Sequence, residues 1–151
     1  MIHKYGQSLE SYINNWFKLP AYALILLRDT GYPCVFYGDY YGIPNNNIAP
    51  TKDLKTLIEL RKEKAYGMQV DYLDNPNVIG WTRMGDDEHL KSGLAVLISN
   101  KYDAQKRMFI STKYAGEKFI DSLGNCEDEI IIDNEGYGIF KVKAKSISVW
   151  V

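Results

Sequence analysis

Apolar residues recur along this chain with two different periods, and the change falls near residue 67. From Trp16 to Arg28 the pattern predicts an apolar helix with Pro20 in its first turn, where a missing N–H costs nothing, ended by Asp29-Thr30-Gly31. Cys34-Val35-Phe36-Tyr37 is a short continuous apolar run between Gly31 and Gly38, which predicts a strand buried on both faces, as in a parallel sheet. The stretch 38–53 is rich in Gly, Asn and Pro and carries no period until Thr51 or Asp53 offers an N-cap. Leu54, Leu57, Ile58 and Leu60 then give a second helix its apolar face, Arg61 to Lys64 its basic last turn, and Gly67 a C-cap just beyond.

Beyond Gly67 short apolar runs alternate with turn residues. They predict seven strands: Val78–Arg83, Leu94–Ser99, Arg107–Thr112, Lys118–Ser122, Glu129–Asp133, Gly138–Val142 and Ser146–Val151. Strands at this near-regular spacing predict an antiparallel sandwich. In the last of them Ile147, Val149 and Val151 alternate with Ser146, Ser148 and Trp150, the pattern of a strand with one face on a core. On that pattern Trp150 is the tryptophan best placed for surface exposure, although burial against a barrel or edge strand suits it better. Trp16 and Trp81, amid apolar neighbours, read as core.

Composition narrows the function classes. The net charge is −1 and the 18 basic residues are scattered, so the electrostatic footprint of a nucleic-acid binder is absent. The longest apolar run, Ala21 to Leu27, is far short of the about 20 residues that span a bilayer, and no signal segment is visible, which leaves the compartment open. Cys34 and Cys126 belong to different predicted units, which argues against a disulfide, and they read as packed or free thiols. With only His3 and His89 beside them, a Cys/His zinc site has little material, and Ser92 with His89 lacks the nucleophile elbow of a hydrolase triad.

The run Gly31-Tyr32-Pro33-Cys34-Val35-Phe36-Tyr37-Gly38-Asp39-Tyr40-Tyr41-Gly42 places an aromatic, glycine-bounded loop after a predicted strand, as at the end of a barrel strand. Around it stand Gly6-Gln7-Ser8-Leu9-Glu10-Ser11, Trp16-Phe17-Lys18, Leu57-Ile58-Glu59-Leu60-Arg61-Lys62, Ala65-Tyr66-Gly67 and Gly80-Trp81-Thr82-Arg83. In order and spacing these pieces resemble the C-terminal third of a liquefying bacterial α-amylase, of the retaining glycoside hydrolase family thirteen. The resemblance implies an α+β fragment. Residues 1–67 correspond to the last helix, strand and helix of a (β/α)₈ TIM barrel, and residues 68–151 to the C-terminal β-sandwich domain.

The same resemblance implies that the chemistry lies elsewhere. Retaining glycosidases need a nucleophilic carboxylate and a carboxylic acid roughly 5–5.5 Å apart. In the family these follow the fourth and fifth barrel strands, neither of which has a counterpart here. The third family acid belongs to an Asn-His-Asp motif just ahead of Gly6; without gaps its His and Asp fall on Met1 and Ile2, and a shift to His3 puts Lys4 in place of the Asp. No catalytic residue is therefore carried over.

Two weaker sites remain. Asp39, Tyr40 and Tyr41 would line the outer wall of a glucan cleft, or else Asp39 caps its loop and the tyrosines pack. A calcium site between barrel and β-domain maps onto the Pro76 carbonyl, Asn77 and Asn100, with two amides in place of carboxylates, which weakens Ca²⁺ binding by this chain alone. The implied partners are α-1,4-glucans (starch, glycogen, maltooligosaccharides) for the full enzyme and the N-terminal barrel part, with no nucleic acid and no membrane. The alternative is a non-catalytic glucan-binding or structural β-sandwich module.

Overall fold

The computed structural model describes residues 13–151. Met1 to Lys4 and the Gly6-to-Ser11 motif lie outside the described residues. Helix α1 runs Asn15–Leu26, one residue earlier than predicted, so Pro20 falls in the second turn, where the bond to the Trp16 carbonyl cannot form. The helix persists because Leu19, Tyr22, Ala23 and Leu26 make one stripe that packs into a core. Helix α3, Leu54–Glu63, buries Leu54, Leu57 and Leu60 in the same core. Asp53 holds the N-cap position with φ 62°, yet its side chain makes no capping bond. Lys64, not Gly67, occupies the C-cap of α3.

The strand expected at Cys34–Tyr37 does not form. Residues 32–36 run without regular structure, and Tyr37–Tyr41 coil into a short helix, α2. A parallel strand exists only through hydrogen bonds to neighbouring parallel strands, and every strand pair among the described residues is antiparallel. The segment keeps only Val35 against the core, while Cys34, Phe36 and Tyr37 are exposed. The helix-strand-helix end of a barrel is thus not reproduced as such.

Eight strands follow: β1 Gln69–Asn75, β2 Val78–Arg83, β3 Leu94–Ser99, β4 Ala104–Phe109, β5 Lys118–Ile120, β6 Glu129–Ile131, β7 Tyr137–Val142 and β8 Ser146–Trp150. Strands β1-β2-β3-β8 form one antiparallel sheet, while β4-β7 and β5-β6 form two ribbons. The ribbon β5-β6 is tied to β8 through paired backbone bonds of Ile120 and Val151, both 3.1 Å. Strand β1 has no fully buried side chain, which is why the apolar pattern passes over it. Strand β4 begins three residues before the predicted start, and Thr112–Tyr114 turn into a 3₁₀ helix instead of extending it.

The four-stranded sheet is buried on both faces. Trp81, Leu94, Val96, Ile98, Ile147 and Val149 face α1 and α3; Val78, Ala95, Leu97 and Trp150 face the second β layer, with Met108, Phe119, Ile130 and Phe140. Of the two readings for Trp150 the structure takes burial: it is fully buried, its indole N–H bonded to Ser148 Oγ at 2.9 Å. Alternation in β8 marks two cores of different composition, not a core and a solvent face. The helices before residue 67 and the strands after it share a continuous core.

Candidate functional site

An apolar concavity lies on the helical side, a groove of 510 Å³ walled by Ile13, Ile25, Phe36, Ile43 and Ile48. Three polar groups enter it: Lys18, Tyr22 and Asp39. Lys18 and Tyr22 are four residues apart on α1 and therefore share a face. Asp39 arrives from α2, whose backbone is held to the following loop by Thr51 N–H donating to the Asp39 carbonyl at 2.7 Å.

These side chains form a closed network. Lys18 Nζ donates to Asp39 Oδ1 at 2.8 Å and the Tyr22 hydroxyl to Oδ2 at 2.6 Å. The Phe36 N–H donates to the same hydroxyl at 3.3 Å. Burial pulls the Asp39 carboxyl upward, but the bonds from Lys18 and Tyr22 outweigh it and hold the group below the ordinary carboxylate range. Burial, followed by the bond to Asp39, pushes Tyr22 up to about 12. An ionised carboxylate with both oxygens engaged is a poor proton donor, and no second carboxylate lines the groove among the described residues.

Tyr40 is half-buried against the helical core, whereas Tyr41 is exposed and stacks at a tilt on Tyr37, their rings 4.6 Å apart. Of the other aromatics, Trp81 is fully buried, as its neighbours predict, and Trp16 is not: it stands at the surface, edge-on to Phe17 at 5.3 Å. The parts that sequence reasoning missed are Lys18 and Tyr22. Their i, i+4 spacing was legible, but the approach of Asp39 from a segment read as the loop after a strand was not.

Pro76 and Asn77 form the turn between β1 and β2, and Asn100 follows β3 directly. The register β2–β3 brings Asn77 and Asn100 together, and Asn100 N–H donates to the Asn77 carbonyl at 3.1 Å. The nearest acid in sequence, Asp74, is engaged by Lys106. A carbonyl and two amides supply no anionic oxygen, so this donor set does not fit a tight Ca²⁺ site.

The described residues thus define a two-layer antiparallel β domain carrying a helical flank and a groove without a pair of carboxylates. Residues 94–151 match the family model of the α-amylase C-terminal domain. Similarity extends well beyond it. The chain is 50% identical over 147 residues to the α-amylase of Geobacillus stearothermophilus, which covers 97% of this chain and 27% of that protein. It is 45% identical over 146 residues to the glucan 1,4-α-maltohexaosidase of Bacillus sp. (strain 707), covering 96% of this chain and 28% of that protein. Each match leaves well over half of the relative without a counterpart here. A solved α-amylase structure from Anoxybacillus shares the fold, with TM-score 0.61 and 14% identity over 90% of this chain and 32% of that one.

Proposed function

We propose that this chain is the C-terminal portion of an endo-acting α-amylase that hydrolyses α-1,4-glucosidic bonds with retention, and that it has no hydrolytic activity by itself. One observation carries this: the similarity to bacterial glucan hydrolases at 45–50% identity continues through α1, α2 and α3, well upstream of the residues 94–151 that make the family domain. On this proposal residues 1–67 complete a catalytic barrel, residues 68–151 brace it, and the groove at Asp39 receives the rest of the barrel. Glucan is the substrate of the whole enzyme, and Ca²⁺ binds this chain weakly.

The test is reducing-sugar release from soluble starch by the purified chain, run beside maltoheptaose binding, each with added Ca²⁺ and with EDTA. The proposal expects neither hydrolysis nor binding in either condition. Binding without hydrolysis would favour a glucan-binding module, and hydrolysis that survives rigorous purification would overturn the proposal.

A further inference from the structure

A second concavity, of 330 Å³, lies between the end of α1, the last turn of α3 and strand β2. Four cations line it, Arg28, Arg61, Lys62 and Arg83, against a single carboxylate, Asp29. Arg28 is committed elsewhere, to Asp71 at 2.9 Å. None of the ion pairs among the described residues involves Arg61, Lys62 or Arg83. Arg83 is only 8% exposed. Its Nε donates to the Gly67 carbonyl at 3.1 Å and its Nη1 to the Leu27 carbonyl at a long 3.5 Å, while Nη2 makes no hydrogen bond among the described residues. Arg61 Nη1 donates to the adjacent carbonyl, that of Leu26.

Two guanidinium groups are therefore held on consecutive carbonyls at the end of one helix. Capping explains part of this, since the C-terminus of a helix carries a partial charge equivalent to about −0.5. The helix end and Asp29 offset only part of the two guanidinium charges, and Lys62 adds a further one at the rim, so the cleft stays net positive. Like charges gathered around a concavity, one of them desolvated with a free N–H edge, make a receptor for an anion, and a guanidinium fork suits the oxygens of a phosphate. Burial, above all, weakens the protonation of Arg83 and Arg61 adds to this, while Asp29 and Asp86 oppose it; a bound anion would act in the same sense as those carboxylates.

We propose that this cleft binds a phosphate-sized oxyanion between Arg61, Lys62 and Arg83. The inference does not depend on the glucan-hydrolase reading, because the site shares no lining residue with the Asp39 groove. Inorganic phosphate is the probe, with the full chain and with sodium chloride at matched ionic strength as the control. Thermal unfolding of the unaltered chain is expected to shift upward and saturate with phosphate beyond the chloride response. Titration calorimetry should show the affinity at least tenfold weaker in Arg61→Gln and a few-fold weaker in Lys62→Gln, with Lys113→Gln unchanged. Lys62 is exposed, so its substitution keeps the fold even if Arg61→Gln does not. A phosphate response no larger than that of chloride, or one that Lys62→Gln leaves untouched, would overturn the site.

Discussion

Asp121 shows how a single polar side chain can organise a β layer. It is buried after β5 and accepts backbone N–H bonds from Leu123 at 3.1 Å, Asn125 at 2.9 Å, Cys126 at 3.0 Å and Val149 at 2.9 Å. No other group could satisfy these donors, so Asp121→Ala is expected to cost about 3 kcal/mol, measured by urea unfolding, with a smaller loss for Asp121→Asn. Asp39 makes a prediction of a different kind. Its carboxyl titrates below the ordinary value of 3.8, so the ionised form contributes stability that is present above about pH 4 and is lost as pH falls through the folded pKa. Acid unfolding below pH 4 should therefore be less steep in Asp39→Asn. Tyr22 works at the other end: raised to about 12, it contributes stability below pH 10 that is lost as pH rises through that value.

At the scale of elements, what was legible in the sequence follows from how local the cause is. Strands β2 and β3 were placed to the residue because their apolar runs and flanking turns lie within the segments themselves. Cys34–Tyr37 has an equally apolar run, but a parallel strand depends on partners that the described chain does not supply. Strand β1 was missed because an edge strand with only half-buried side chains carries no clear period. Trp150 was left between exposure and burial because alternation shows that a strand has two faces without showing what covers each. Asn77 and Asn100, placed only through the resemblance, are brought together by the β2–β3 register, which no local pattern shows. The helical layer gives the element-scale prediction. Leu57 is fully buried between α3 and the sheet, and Leu57→Ala is expected to destabilise the domain by about 3 kcal/mol in denaturant unfolding, with the β cores retained.

The whole molecule is uneven in its surface. Ile13, Trp16, Ile25, Tyr32, Phe36, Tyr37, Tyr41 and Ile48 are all exposed, and all lie between residues 13 and 48, around the groove. So concentrated an apolar surface marks an association face. The isolated chain is expected to self-associate at micromolar concentration in sedimentation velocity, and Phe36→Ser with Ile25→Lys to shift it toward monomer. Unchanged monomer for the unaltered chain would speak against an uncovered interface. The most direct measurement of the central claim is a chimera. This chain would replace the matching 147-residue segment of the Geobacillus stearothermophilus α-amylase, with soluble starch as substrate. The account predicts a folded enzyme that releases reducing sugar, while the chain alone releases none. A chimera that folds cooperatively yet hydrolyses no starch would contradict it.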